Sequence, residues 1–528
     1  MRQKLENFLN NNSKILKWIT ASVFIWGLIA HGFMFFNKIS YHDDAMNLYA
    51  IGVTVSSGRW MLYLMREIAE VLFGSSLYSI PLFNGITSLL LLSVIVFYVV
   101  RLLDIKKTMH VVLLSGCLVT FPQITGMFGY MFTAPYYLLG TLLGIMGVYR
   151  IRDKKPTALN YVGAVILMAC SVGTYQANIA VILSMMVMLL IHDEIVGQQL
   201  ERNSNTLKMF IIRCIKLVGI ALAFLLVYLG LEQLFLYLRG EALNDYQNIN
   251  TFGMTSFSGY LERIVTAYKE FFWPTVDSGA RQAFPFISNA MYKVLILVYI
   301  VLMLFPLLDK RKRNISKGRV IFLMIVMPLA CNFIFVMCDI TNVHAVMIYG
   351  CAMFFPCLIM LLEHYDFEIQ SRLISFKKIG VFSAVVLLLI NICYIRYSNT
   401  CYLKAEIVQS QFISYANNLI MRIEETEGYE PDMMVAYVGE DRKLMLDYYM
   451  GEDMFYISSN PYNFSSVTND YAWRQTMALW CGFNPYVINY ASEFEKNETV
   501  RQMPVYPMNG SIKVVDGVLV VKFADTNY

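Results

Sequence analysis

Charge is scarce in this chain. Only 15% of its 528 residues are Asp, Glu, Lys or Arg, against ~25% in an ordinary soluble domain. The few ionisable groups also avoid the middles of the apolar runs: Arg213, Lys216 and Glu232 lie toward run ends. A coupled transporter needs charges near the membrane midplane and broken helices in repeat-related places, and neither shows in the sequence. Ten cysteines are present without a CxxC or CxxxxC pair, which removes the usual signature of a metal cluster. No metal-ligand spacing, Walker motif, GxSxG or HExxH occurs, and no repeat or low-complexity segment. A cleavable signal peptide is not expected, because the first apolar run is about 20 residues long and spans rather than forming a short leader core.

Apolar residues fill the space that charge leaves. They make up 57% of the chain, and the mean hydropathy is +0.52. A bilayer crossing needs ~20 apolar residues. Runs of that kind fall near 16–36, 77–100, 111–130, 133–149, 158–174, 177–192, 209–238, 289–308, 320–338, 343–362 and 379–396. The predicted fold is therefore mainly α, a polytopic membrane bundle of about 11 transmembrane helices. Every even-numbered loop is basic, from Arg101, Lys106 and Lys107 to Arg372, Lys377 and Lys378. The positive-inside rule then places the N-terminus in the cytoplasm and the tail outside. Two domains are expected: 1–396 in the membrane and 397–528 as a small extracytoplasmic α/β domain. Within the tail, 400–424 reads as helix, Met433 to Val438 as a strand, and Asp516-Gly517 as the turn of a terminal hairpin. Most cysteines lie in apolar runs, where they act as small hydrophobes. Cys401 and Cys481 alone fall in the polar tail, and pairing between them stays open.

Two predicted outer loops are long. The first, about 37–76, carries Trp60, Met61, Leu64, Ile68, Val71 and Leu72 at helical spacing, with Arg66, Glu67 and Glu70 on the other side. Such a helix lies flat on a membrane surface. The second, about 239–288, holds the aromatic cluster Tyr268, Phe271, Phe272 and Trp273, suited to the interface.

The residues able to do chemistry gather at the predicted outer face. Asp43 and Asp44 follow the first span by a few residues. A carboxylate there can take a proton from an incoming hydroxyl. The ordinary structural reading is a helix cap, since Ser40-x-x-Asp43 fits a capping box; the two readings are compatible. In Ser57-Gly58-Arg59-Trp60, glycine permits a sharp turn and Arg59 can hold a phosphate. The ordinary alternative is an arginine snorkelling beside an interfacial tryptophan. Tyr175-Gln176, in the turn Gly173 to Gln176, carries side chains that hydrogen-bond a sugar, although any turn favours polar residues. Gln123 and His344 occupy comparable turns, and a lone histidine there is usually a solvated loop residue.

These motifs, in this order and placement, resemble the GtrII-type membrane glucosyltransferases of the GT-C superfamily. The Asp43-Asp44 pair is similar to the acidic motif of that superfamily, although Asp-Glu is common there, which leaves open which acid is the base; Asp43, the first, is favoured. Tyr49-Ala50, Ser57 to Trp60, Tyr175-Gln176 and the tail from Tyr506-Pro507 to Lys522-Phe523 extend the likeness over most of the chain. The resemblance implies a polyprenyl-phosphate-linked hexose donor, with glucose as the hexose, and a surface-glycan acceptor such as O-antigen or cell-wall polysaccharide. It implies direct displacement with inversion through an oxocarbenium-like state. Asp43 and Asp44 are then the catalytic residues. Arg59 is the first cation for the leaving phosphate, with Arg66, Lys269 and Arg281 behind it; Tyr175, Gln176, Gln123 and His344 complete the substrate-binding set. No cofactor is implied and no metal site stands out, although some GT-C enzymes use a divalent ion. No nucleic acid is expected as a partner. Membrane lipid surrounds the protein, and a polyprenyl-phosphate-glucose synthase and a flippase would supply the donor. The implied location is the bacterial cytoplasmic (inner) membrane. A lipid-linked glycan polymerase or ligase is the competing reading, and a lipid-linked sugar transporter a third.

Overall fold

The computed structural model describes residues 2–40, 42–52, 54–152, 156–195, 207–244, 254–274, 286–308, 316–340, 343–365, 376–439, 472–488 and 492–525. Contacts divide the chain into two compact units. One comprises Met1–Lys38 with Tyr49–Thr400, the other Ile39–Leu48 with Cys401–Tyr528. The second therefore begins near the expected tail boundary and also takes in the short segment 39–48, which the sequence assigns to the membrane domain.

The first unit is helical. Its elements are α1 (Arg2–Phe36), α3 (Trp60–Phe73), α4 (Pro81–Leu102), α5 (Thr108–Val119), α6 (Pro122–Gly129), α7 (Ala134–Arg150), α8 (Ala158–Thr174) and α9 (Asn178–Ile195). Then come α10 (Leu207–Arg239), α11 (Phe257–Phe272), α12 (Phe286–Leu308), α13 (Lys317–Cys331), α14 (Ile334–Met337), α15 (Tyr349–Ala352) and α16 (Phe354–Tyr365), with the first half of α17 (Phe376–Glu424). Among the described residues six helices are long and apolar enough to cross a membrane: Asn12–Phe36, α4, α9, α10, Ile287–Phe305 and Lys377–Glu424. A seventh counts if α5 and α6, bent by 43°, form one span. Hydropathy runs predict eleven. The other runs are helical but short or interrupted. Seventeen-residue α7 and α8 reach about 26 Å at 1.5 Å per residue, just under the ~30 Å hydrocarbon core. Pro122, which lacks an N–H, opens α6 and bends the third run. The ninth is broken at Asn332, whose side chain turns to the Ala267 carbonyl at 2.9 Å.

Small residues set the closest helix contact. Gly140, Gly144 and Gly147 line one side of α7, where added Cβ atoms would stand 2.8 Å from Thr174, 2.7 Å from Ser171 and 2.8 Å from Met168 of α8. A ridge without side chains lets two apolar helices approach backbone to backbone, a common device in membrane bundles. That approach brings Tyr137, one turn before Gly140, level with Tyr175 at the end of α8.

The opposite ends of these helices are tied by charge. Asp104, after α4, accepts from Arg152, after α7, at 2.5 Å and lies 3.3 Å from His192 near the end of α9. Asp193 pairs with Arg213 of α10 at 2.5 Å, and buried Glu194 with Arg319 of α13 at 3.2 Å. Arg152, Arg213 and Arg319, from three of the predicted even-numbered loops, thus converge with Asp104 of a fourth on one end of the bundle.

The second unit holds α2 (His42–Met46), the rest of α17, β1 (Val435–Val438), α18 (Trp473–Cys481), α19 (Ser492–Lys496), α20 (Glu498–Gln502), β2 (Ile512–Val515) and β3 (Val518–Lys522). The sheet order is β1-β3-β2, with β1 parallel and β2 antiparallel to β3. The β2–β3 turn is Asp516-Gly517, both at positive φ (51° and 77°), as a two-residue hairpin of this hand requires. Phe412, Ala416, Leu419 and Ile423 recur on one side of α17 and pack on Val435, Leu519 and Val521. The other sheet face is covered by Val500 and Met503 around α20. The sequence expects a span at 379–396 and a separate helix at 400–424. The structure joins them in one helix of 49 residues, because no Gly or Pro falls between Val381 and Glu424. No disulfide joins Cys401 to Cys481.

Candidate active site

Arg59 stands at the cap position of α3. The preceding turn, Val55–Ser57, ends in Gly58 at φ 73°, a left-handed conformation that glycine adopts without Cβ strain. The turn is wedged between the turn that follows α8 and the side of α10. Trp60 is buried, stacked on Phe235 of α10 at 5.7 Å and packed on Gly173, where a Cβ would come within 2.5 Å of its ring. Anchored this way, Arg59 donates to the Tyr137 hydroxyl at 3.1 Å and lies 5.3 Å from the centroid of the Tyr175 ring. Tyr137 and Tyr175 stack at 4.5 Å with planes 10° apart. Burial raises the Tyr175 phenol above its usual range, with the Arg59 charge opposing; the ring stays neutral and serves as a face for the cation. Gln176 donates to the Ser57 carbonyl at 2.7 Å.

Three sequence-predicted binding residues, Arg59, Tyr175 and Gln176, are therefore in one cluster. Sequence reading missed three more. Tyr137 lies in an apolar run, where tyrosine carries no special signal. Tyr228 and Glu232 project from α10 onto Gly58; their i, i+4 spacing was the available clue. Arg263 of α11 donates to the Met337 carbonyl at 3.2 Å.

The other predicted residues take separate places. Arg66 lies about 10 Å farther along α3, paired with Glu67 at 2.7 Å and 5.0 Å from the Tyr63 ring. Gln123, buried on α6, donates to the Val346 carbonyl at 3.0 Å. His344 precedes the tight turn Ala345–Met347, and burial holds its imidazole below the usual histidine range. Lys269 is exposed on α11. Arg281 lies outside the described residues.

Asp43 and Asp44 belong to the second unit, on α2, which packs against α18. Asp44 is fully buried and Asp43 half-buried. The Asp43 carbonyl accepts from the backbone and side chain of Asn47 at 2.8 and 2.9 Å. The expected Ser40 capping box does not form. The helix starts two residues later, at His42, the Ser40 hydroxyl has no hydrogen-bond partner, and the Ser40 N–H donates to Gln409 of α17 at 2.8 Å. Both acids fall in the first turn of α2.

Chemically, the first unit offers a fixed guanidinium beside two aromatic rings and an amide, a set that suits a sugar phosphate: arginine for phosphate oxygens, flat rings and amides for a hexose. The second offers two adjacent carboxylates. Among the described residues no group of three His, Cys, Asp or Glu could hold a metal ion.

Comparison with known proteins adds one finding. The family model for glucosyl transferase GtrII matches residues 32–356, more than half of the chain and including Asp43, Asp44, Arg59, Tyr137, Tyr175, Gln176, Tyr228 and Glu232. No curated protein and no solved structure matches.

Proposed function

Because the chain belongs to the GtrII glucosyl transferase family, and its helices include six able to cross a membrane, we propose that it is a GT-C-type enzyme that moves glucose from polyprenyl phosphate to a hydroxyl of a cell-surface glycan. The transfer occurs on the outer face of a bacterial cytoplasmic membrane. In this reading the short and broken helices also cross, giving eleven spans, a cytoplasmic N-terminus and an extracytoplasmic second unit.

The observation that carries the reading is the position of Arg59. It stands with Tyr137 and Tyr175 at one end of α7 and α8, and the basic ion-paired residues Arg152, Arg213 and Arg319 stand at the other end of the bundle. Basic loops mark the cytoplasmic side, so Arg59 faces outward, where a flipped lipid-linked sugar presents its phosphate.

The chemistry is a single displacement. The acceptor oxygen forms a bond to C1 while the C1–O bond to phosphate breaks. The hydroxyl proton passes to Asp43 or Asp44, and polyprenyl phosphate leaves with the bonding pair. Arg59 balances the charge that grows on the phosphate, with Arg66, Lys269 and Arg281 as the supporting cations. Inversion at C1 follows from one step.

The test uses purified full-length protein in lipid vesicles, a synthetic polyprenyl-phosphate-glucose and isolated surface polysaccharide. Transfer with inverted anomeric configuration is expected, and its loss in both Asp43→Asn and Asp44→Asn. Full activity in both variants overturns the catalytic assignment. Transfer from a nucleotide sugar but not from the lipid phosphate overturns the donor.

A further inference from the structure

The turn that carries Arg59 is gripped from α10. Tyr228 and Glu232 sit one helical turn apart and both are buried. The Tyr228 hydroxyl lies 3.2 Å from the Gly58 carbonyl oxygen and 2.8 Å from Oε1 of Glu232. Gln176 Nε2 reaches the Ser57 carbonyl at 2.7 Å and lies 3.4 Å from the same hydroxyl. The three polar groups converge on the space that a Cβ of Gly58 would fill, at 2.4 Å from Glu232, 2.7 Å from Gln176 and 2.8 Å from Tyr228.

Counting protons decides the charge of Glu232. A phenol has one hydrogen to give. If Glu232 were ionised, that hydrogen would go to the carboxylate and the Gly58 carbonyl would lose its tyrosine partner. The carboxylate would also be a buried charge with no cation paired to it among the described residues, a strongly unfavourable arrangement. If Glu232 is neutral, its own O–H goes to Tyr228, the Tyr228 O–H goes to Gly58, and the two Gln176 hydrogens go to Ser57 and Tyr228. Every group in the chain is then served.

We propose that Glu232 is held as a neutral carboxylic acid, and that Glu232, Tyr228 and Gln176 are positioning residues which fix the Ser57–Arg59 backbone and so aim the guanidinium at the donor phosphate. The inference rests on the reading of Arg59 as the phosphate ligand. It assigns to α10 a part in donor recognition without contact to the donor.

The experiment measures donor KM, acceptor KM and kcat for the full-length protein with synthetic polyprenyl-phosphate-glucose. Tyr228→Phe and Glu232→Ala raise donor KM about five- to tenfold, the size of one hydrogen bond, and leave acceptor KM unchanged. Glu232→Gln recovers most of what Glu232→Ala loses, because an amide N–H replaces the acid O–H. In an Arg59→Ala background Tyr228→Phe adds nothing further. The infrared difference spectrum of wild type against Glu232→Gln contains the carbonyl band of a protonated carboxylic acid, a readout independent of activity. A missing acid band, or Glu232→Gln as impaired as Glu232→Ala, overturns the neutral acid. Additive effects of Arg59→Ala and Tyr228→Phe overturn the positioning role. Arg59→Ala with unchanged donor KM refutes the phosphate assignment instead, and the infrared band would then still stand.

Discussion

Tyr137 hands its hydroxyl to Arg59 and its ring to Tyr175: the Arg59 guanidinium donates to it at 3.1 Å while the two rings stack at 4.5 Å. One side chain thus fixes both the direction of the cation and the height of the aromatic face beneath it. The cause lies a turn farther along α7, where Gly140 lets α8 close to contact distance.

The two jobs of Tyr137 separate by substitution. Tyr137→Phe keeps the stack and loses the hydrogen bond, so donor KM rises roughly two- to tenfold. Tyr137→Ala also loses the ring contact, worth about 0.5–1.5 kcal/mol beyond burial, and raises donor KM by a further comparable factor. Initial rates at varied donor concentration distinguish them. Equal KM for wild type and Tyr137→Phe would show that the hydroxyl does not orient Arg59.

Gly58 is constrained twice, by its left-handed backbone and by the polar groups pressed against it. Gly58→Ala is expected to lower stability by about 2–4 kcal/mol, since a non-glycine residue in that region costs ~1–3 kcal/mol and the added methyl meets Glu232. Gly58→Asn accepts the backbone angle more readily but not the crowding, so it does not rescue. Thermal unfolding in detergent measures both; a fully stable Gly58→Asn would leave backbone strain as the sole constraint.

The sequence discloses the parts of this site that sit at run ends. Arg59, Tyr175 and Gln176 stand out because glycine and polar residues interrupt apolar runs there, and a turn is the reason. Tyr137, Tyr228 and Glu232 stay hidden because each lies inside or at the margin of an apolar run, where helical periodicity accounts for any residue. The Asp516-Gly517 hairpin is legible because its turn chemistry is local. The grouping of Asp43 and Asp44 with the C-terminal unit is not, since it depends on contacts such as Ser40 to Gln409, with no periodicity linking the two. Nor is the single long α17, because hydropathy marks where a helix turns polar and not where it stops.

Acid should loosen the ion-paired end of the bundle before it reaches the helices themselves. Burial raises the Asp104 carboxyl, but His192 and Arg152 beside it outweigh that and hold the group down at about 2. A depressed carboxyl contributes stability that is present above its unfolded value near 4 and is lost as pH falls toward 2. The group is 43% exposed, so solvent screening keeps the contribution under about 1 kcal/mol. Asp104→Asn is expected to flatten the fall in unfolding temperature between pH 4 and pH 2.5 while shifting it only slightly at pH 7. An unchanged acid slope in the variant would assign that slope to other carboxylates.

Arg319 and Glu194 form a different kind of pair at the same end. Their side chains are 7% and 1% exposed, so water cannot replace either partner. Removing the arginine takes a charged partner from a buried carboxylate, and Arg319→Ala should cost about 3–5 kcal/mol. Replacing both with apolar residues of similar size, Arg319→Met with Glu194→Leu, removes the desolvation cost together with the attraction and should recover most of that loss. The comparison is made by unfolding in detergent, with transfer activity as a second readout. The pair lies at the end of the bundle away from Arg59, so the double variant is expected to keep donor KM near wild type. If the double variant is as unstable as Arg319→Ala, the pair contributes more than charge balance, and the cation over Phe210, 5.7 Å from its ring centroid, is the contact to examine next.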